Sequence, residues 1–417
     1  MLWLQQLTDL IYGVPLTAAL LGVGIYFTVK TRAIQLRGLS KGLRALKSGG
    51  NLRAMLISTG ARVGTGNIAG VAAAIAIGGP GSAFWMWIMA LIGSASAFAE
   101  SVLAQKYRRR SRDGWVGGAA FYMKYGLQNS GMGVAFTVAL IACFGGAMNA
   151  LQAFQMQSAI TGLSPLVTAA AVTALTALCI RRDSVGRWSE ILVPLMTAGY
   201  LLLTVSVMVL RWQRIPEVLA EILHCAFAPE SFVGGLSGSA LSIGIRRGLF
   251  TNEAGMGSAS QAAASADARH PADQGMAQVL SVFIDTLILC TATVFMLLLS
   301  DAAPAGMSNI GWAQAAVTDV LGGWAGYVIS ASVLCFAFTS ILGGYYYAAS
   351  AARFFGNTPR LRIGIRLFCL LTVFFGSLAQ AELVWQLTDL CMAVMTSLNL
   401  VALWRLRKQA TDCLQDW

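Results

Sequence analysis

Two stretches of this chain combine a density of glycine with polar side chains in otherwise apolar surroundings. Residues 58–70 read STGARVGTGNIAG and residues 248–258 read GLFTNEAGMGS, and each holds a threonine, an asparagine and an Ala-Gly pair. Glycine inside a helix costs about 1 kcal/mol relative to alanine, so Gly60, Gly64, Gly66 and Gly70 predict a helix that breaks. Uncoiled backbone in hydrocarbon leaves orphan N–H and C=O groups, and it survives only where it lines a cavity or binds something. The chemistry expected of both stretches is therefore binding through backbone polar groups. Glycines also let helices pack closely, a reading that suits Gly145, Gly146, Gly343 and Gly344. Asn67, Asn252 and Glu253 bring polarity that close packing does not need.

The elements that position these stretches must sit in lipid. Of the 417 residues, 57% are hydrophobic and 11% charged, too few polar side chains to cover a water-soluble globule of this size. A helix needs roughly 20 apolar residues to cross a bilayer. About eleven such stretches can be marked, near 10–30, 53–77, 82–105, 132–159, 163–180, 188–210, 232–262, 275–299, 323–351, 361–378 and 382–404. The fold class expected is an all-α membrane protein of about eleven transmembrane helices. The net charge of +11 reports which side the loops face rather than nucleic acid. With the N-terminus outside, most of the 29 basic residues fall on the cytoplasmic side, in the loops around Arg32–Lys47, Lys106–Arg112 and Arg181–Arg187 and in the tail after Arg405. An external N-terminus, a cytoplasmic C-terminus and residence in the cell inner membrane follow. The first span lacks a basic region before it and runs into a basic loop, so it reads as a retained helix. The eight cysteines are scattered singly and suggest neither disulfides nor a zinc site.

Beyond the first span and its basic loop (1–50), the helices divide into sets of five over 51–211 and 230–405, with a tail at 406–417. An odd number per set turns the second upside down, the inverted repeat of many secondary transporters. Each set begins with one of the two interrupted helices.

The stretches GARVGTGNIAGVAAAI, GGPGSAFWMWIMALIG (78–93), RGLFTNEAGMGSA (247–259) and QGMAQVLSVFIDTLI (274–288) resemble the alanine or glycine:cation symporters, also called sodium:alanine symporters, within the LeuT-type fold. The resemblance covers nearly the whole chain. It implies that the chain imports a small neutral amino acid, alanine or glycine, together with sodium, with no cofactor and no enzymatic activity. A zwitterion at the midplane needs donors for its carboxylate and acceptors for its ammonium, and a broken helix has both. The resemblance assigns the carboxylate to the backbone of Gly64, Thr65 and Gly66 with the Thr65 hydroxyl, and places Asn67 in the same pocket. Phe250, Thr251 and Asn252 face the ammonium and side chain, and Gln152 in NALQAFQMQ reaches the substrate. Sodium takes five or six oxygens, here the carbonyls of Gly60, Val63 and Phe336 and the hydroxyls of Thr339 and Ser340. The family often has an aromatic where Gly344 stands, so the pocket differs on that side. Met392 and Met395 are further wall candidates.

Charged residues at membrane depth are expensive and usually functional or paired. Arg62, Glu100, Arg246, Arg247, Glu253, Asp285 and Asp389 fall there, and Arg62 with Glu253 suggests gating or an ion pair. A sodium ion falling through about 100 mV supplies about 2.3 kcal/mol, and a tenfold gradient adds about 1.4 kcal/mol, so no ATPase is required. Three other readings compete with this one. The GLSG at 235–238 matches the serine motif of rhomboid-type intramembrane proteases, but only His224 and His270 are available as its base and both fall in loops. Gly64, Gly66 and Ala69 match a dinucleotide fingerprint but lack a preceding strand and a following acidic residue. A proton-coupled transporter, or one for another amino acid such as glutamine, is the closest rival.

Overall fold

The computed structural model describes residues 6–417 except 7, 9, 13, 48–49, 112–113, 161, 182–184, 229–238, 305–306 and 415–416. The helices in chain order are α1 (Leu10–Lys30), the short α2 (Ile34–Arg37) and α3 (Leu39–Ala45), α4 (Asn51–Arg62), α5 (Ala69–Gly78), α6 (Gly81–Lys106), α7 (Ala119–Tyr125), α8 (Ser130–Ala159), α9 (Pro165–Arg181), α10 (Val185–Leu210), α11 (Ile215–Phe227), α12 (Ala240–Asn252), α13 (Ser260–Ser265), α14 (Pro271–Leu298), α15 (Asn309–Leu321), α16 (Gly323–Ala352), α17 (Pro359–Ser377), α18 (Ala381–Arg405) and α19 (Arg407–Asp412). A small antiparallel hairpin, β1 (Arg109–Ser111) with β2 (Gly114–Val116), follows α6.

Among the described residues seven helices, α1, α6, α8, α10, α14, α16 and α18, are each long and apolar enough to cross a membrane, and the pair α4 and α5, bent by 60°, makes up to eight. The three other apolar stretches fall short for visible reasons. Helix α9 has 17 residues; α12 stops at Asn252 before the chain reaches α13; α17 carries Arg360, Arg362 and Arg366 in its first half. Helix, not strand, precedes Gly64, which removes the dinucleotide reading.

The molecule wears its hydrophobic side chains outward. Leu195 and Leu202 on α10, and Leu371 and Phe375 on α17, are exposed, as a lipid-facing surface requires. Polar groups lie inside, among them Asn67, Glu100, Glu253 and Asp285, each fully buried. Helix α6 runs through the centre, packed on α1, α12 and α14, while α16 packs on α4, α8 and α10. Helices α8 and α14 each contain a π turn, at Ile141–Ala147 and Phe283–Cys290. Such turns shift the register by a residue and often occur where a side chain is re-aimed. The second carries Asp285 toward the break between α4 and α5.

Candidate functional site

Helix α4 ends at Arg62, Val63 leaves helical geometry (φ −68°, ψ 83°), and Thr65–Asn67 form a single tight turn before α5 resumes. The Asn67 side chain holds this break. Its Oδ1 accepts from the Gly64 N–H at 3.2 Å, and its Nδ2 donates to the Asp285 carboxylate at 2.8 Å and carbonyl at 3.1 Å. The Thr293 hydroxyl donates to the Asn67 carbonyl at 2.7 Å. Asn67, expected in the substrate pocket, therefore spends both ends of its amide on the protein.

The second break begins three residues after Phe250, later than expected. Phe250, Thr251 and Asn252 are the last turn of α12, and the uncoiled backbone is Glu253–Ala259. Glu253, Gly255 and Gly257 have φ of 54°, 92° and 83°, a left-handed run that a helix cannot continue. Asn252 turns back to cap the Ala254 N–H at 3.0 Å, and its Nδ2 has no partner among the described residues. Thr251 donates to the Gly248 carbonyl at 2.9 Å and lies 3.4 Å from the Thr286 hydroxyl.

The first break touches the last helical turn of α12, just before the second break. A Cβ on Gly66 would stand 2.6 Å from Phe250 Cε1 and 3.5 Å from Thr251 Cγ2. Above Gly64 and Thr65 lies Gln152 of α8, whose Oε1 accepts from the Thr65 N–H at 3.1 Å and the Thr65 hydroxyl at 2.9 Å. Two of the donors expected to meet a carboxylate, both on Thr65, thus face an amide oxygen, and a third, the Gly64 N–H, is taken by Asn67.

A cluster of oxygens forms on the other side of the first break. The Ser340 hydroxyl of α16 donates to the carbonyls of Gly60 at 3.3 Å and Ala61 at 3.0 Å. Thr339 donates to the Phe336 carbonyl at 3.0 Å and the Cys335 carbonyl at 3.1 Å. Gly343 permits this approach, since its Cβ would stand 2.6 Å from Ala61 Cβ. Of the expected sodium ligands, Gly60 and Ser340 are in direct contact, Thr339 holds Phe336, and Val63 lies fully buried at the end of α4. Ala61 is an addition that the sequence did not announce. Gly344 belongs to packing: a Cβ there would lie 2.5 Å from Asn149 Oδ1 and 2.7 Å from the Phe144 carbonyl, which leaves no room for an aromatic.

The charges pair differently from the sequence reading. Arg62 reaches the Gln278 side chain at 3.2 Å, and its Nε and Nη2 have no hydrogen-bond partner among the described residues. Among the described residues, ion pairs at this depth instead join Arg246 to Asp389 at 2.6 Å and Arg247 to Asp389 at 3.5 Å. Arg247 also lies over the Trp385 ring at 4.4 Å, and Trp385 packs against Phe250 at 5.1 Å. Phe250, Trp385, the two arginines and Asp389 so form a closed layer on one side of the meeting point. At the end of the bundle that carries the basic loops lies a cavity of about 770 Å³, lined by Ile57, Tyr345 and Tyr346 and by Arg53, Arg353 and Arg362. Met392 and Met395 are buried in the core. The GLSG stretch with Ser237 lies outside the described residues.

Comparison with known proteins decides the family. The family model described as the sodium:alanine symporter family matches residues 1–417. The chain belongs to the sodium:alanine symporter family. Among its relatives in that family, a probable sodium/glutamine symporter of Bacillus subtilis, GlnT, is 38% identical over 98% of this chain and 89% of its own. A sodium/alanine symporter of Methanococcus maripaludis, AgcS, is 32% identical over 96% of this chain and 93% of its own. A solved structure, MhsT in complex with L-phenylalanine, superposes with a TM-score of 0.62 at 17% identity, covering 85% of this chain and 88% of that one. That likeness shows a shared, LeuT-type fold. As a member of the sodium:alanine symporter family the chain is a multi-pass membrane transporter and not an enzyme.

Proposed function

We propose that this transporter imports a small neutral amino acid, alanine or glycine, by symport with sodium. The observation that carries the reading is the meeting of the first break with the last turn of α12 at Gly66 and Phe250, with donors on one side and an oxygen cluster on the other. The Thr65 N–H and hydroxyl receive the substrate carboxylate once Gln152 turns away from them, and free N–H groups at a helix start favour an anion there. The last turn of α12, with the unpartnered Nδ2 of Asn252, faces the rest of the substrate. The tight contact between Gly66 and Phe250 favours a small side chain. Gly60, Val63, Phe336, Thr339 and Ser340 supply neutral oxygens for sodium; the hydroxyl protons now resting on carbonyls turn outward when the ion binds.

In this proposal the spans number eleven, as an extra first helix (1–50) and inverted five-helix sets at 51–211 and 230–405. The N-terminus is external and the C-terminal tail (406–417) cytoplasmic, in the inner membrane. The closed layer of Arg246, Arg247 and Asp389 then seals the outside while the arginine-lined cavity opens to the cytoplasm. That is an inward-facing state of an alternating-access cycle.

A proton-coupled reading, or one with another cargo, has its own support. One relative is named a putative sodium/proton-dependent alanine carrier, at 35% identity, another a sodium/glutamine symporter, and Asp285 is a buried carboxylate beside the first break. Reconstituted protein given labelled alanine, glycine or glutamine under a sodium, lithium or pH gradient separates these. Uptake that ignores sodium sinks the symport reading, and saturable uptake of glutamine alone replaces the cargo.

A further inference from the structure

The uncoiled backbone Glu253–Ala259 is held by side chains from two distant helices. The Gly257 N–H donates to Glu100 Oε1 of α6 at 3.2 Å. Asn399 of α18 donates through Nδ2 to the same Glu100 oxygen at 2.7 Å and to the Gly255 carbonyl at 2.9 Å. The Tyr122 hydroxyl donates to Asn399 Oδ1. Glu100, Asn399 and Tyr122 are all fully buried, and a Cβ on Gly257 would meet Asn399 Cγ at 2.9 Å. Both amide protons of Asn399 and its oxygen are therefore committed, and the Asn399 side chain fits only because residue 257 has none.

The same helix α18 carries Asp389 roughly 15 Å nearer its start, at about 1.5 Å per residue. Asp389 grips Arg246 and Arg247 on α12. So α18 holds the second broken helix twice, once on α12 and once at the break. The two grips differ in kind. Arg246 and Asp389 are charged groups that regain hydration when they part. Releasing Asn399 would orphan the Gly255 carbonyl and take a donor from the Glu100 oxygen that holds the Gly257 N–H, in a dry interior where unpaired polar groups are strongly disfavoured.

We propose that Asn399, braced by Glu100 and Tyr122, is the pivot about which α18 turns relative to α12 when Asp389 lets go of the arginines. It is a positioning residue: it keeps the uncoiled segment in place and transmits the state of the outer gate to the cavity at the opposite end. The proposal rests on the transport reading above, and the test keeps the two apart.

The readout is the labelling rate of a thiol in the arginine-lined cavity, made by Ser350→Cys and quantified on the peptide that carries residue 350, with reagent on both faces of reconstituted vesicles. Asp389→Asn, which loosens the gate, is expected to slow labelling at least fivefold as the cavity closes. Added to Asn399→Ala, the same change is expected to alter labelling less than twofold. Tyr122→Phe keeps its volume and removes only the brace on the amide; it is expected to cut the response to Asp389→Asn to about half. An Asp389→Asn effect of equal size in all backgrounds overturns the pivot, and so does no effect in the parent. Sodium-driven uptake of labelled alanine by the unsubstituted protein in the same vesicles judges the transport reading separately. Absent uptake with intact coupling between the two substitutions rejects that reading and leaves the pivot standing.

Discussion

Gln152 Oε1 accepts from both the backbone N–H and the hydroxyl of Thr65, at 3.1 and 2.9 Å. A carboxamide oxygen here has the place and the acceptor geometry of one carboxylate oxygen of an amino acid. Two donors are thereby kept satisfied until a substrate replaces the amide.

That relationship predicts losses of different size for two substitutions. Gln152→Glu puts a permanent anion on the Thr65 donors, and like charges at this spacing in a buried site repel strongly. Uptake should fall at least a hundredfold in Vmax/KM. Gln152→Ala leaves the donors free and should lower Vmax/KM by about tenfold, about 1.4 kcal/mol. Initial-rate uptake in vesicles measures both, and a fully active Gln152→Glu protein rules out the role.

Ser340 and Thr339 should report on the ion rather than on the amino acid. Removing one oxygen by Ser340→Ala is expected to raise the half-saturating sodium concentration about tenfold, as the loss of a bond to a charged group of about 1.5 kcal/mol implies. The KM for alanine at saturating sodium should move less than twofold. Thr339→Ala, whose hydroxyl rests on Phe336, should follow the same pattern. Sodium titrations of uptake decide it, and a shift in alanine KM alone contradicts the assignment.

The contact of Gly66 with Phe250 sets a size limit. Gly66→Ala places a methyl 2.6 Å from the Phe250 ring, an overpacking that typically costs about 1–3 kcal/mol. Uptake is expected to drop at least tenfold. Trimming the ring in the double variant Gly66→Ala with Phe250→Leu should recover most of it. Failure of the second change to rescue the first places the damage elsewhere.

Two ion-pair systems should differ sharply in what they contribute to stability. Asp389, 2% exposed, holds Arg246 and Arg247, and removing one member of a buried pair costs about 3–5 kcal/mol. Asp301, 61% exposed, holds Arg211 and Arg214, where the expectation is about 0–1 kcal/mol. Thermal denaturation in detergent should show Asp389→Ala well below the unsubstituted protein and Asp301→Ala close to it. Equal midpoints refute the contrast.

Much of this molecule was legible in its sequence because membrane depth penalises polarity and uncoiled backbone so heavily. The glycine and polar residues at 58–70 and 248–258 announced both breaks, and the apolar stretches announced the long helices. Of the Thr-Ser pair at 339–340, found through the family resemblance, Ser340 reaches the Gly60 and Ala61 carbonyls at the end of α4, while Thr339 stays on the Cys335 and Phe336 carbonyls of its own helix. The second break was expected slightly early because Phe250–Asn252 looks like its threonine-bearing counterpart. Glycines at 255 and 257 and the left-handed Glu253 set the true end.

What only the tertiary structure decided are the partners. The sequence flagged Arg62, Arg246, Arg247, Glu253 and Asp389 as costly, yet it could not say that Asp389 takes both neighbouring arginines while Arg62 turns to Gln278. Nor did it reveal that Asp285 holds Asn67, that Gln152 covers Thr65, or that Asn399 joins Glu100. Each of these links residues 87 or more positions apart. Local pattern fixes which residues must be satisfied, because burial without a partner is so unfavourable. Which partner satisfies them depends on how closely helices approach, and close approach is set by contacts such as Gly343 on Ala61 and Gly344 on Asn149, which exist only once the bundle has formed.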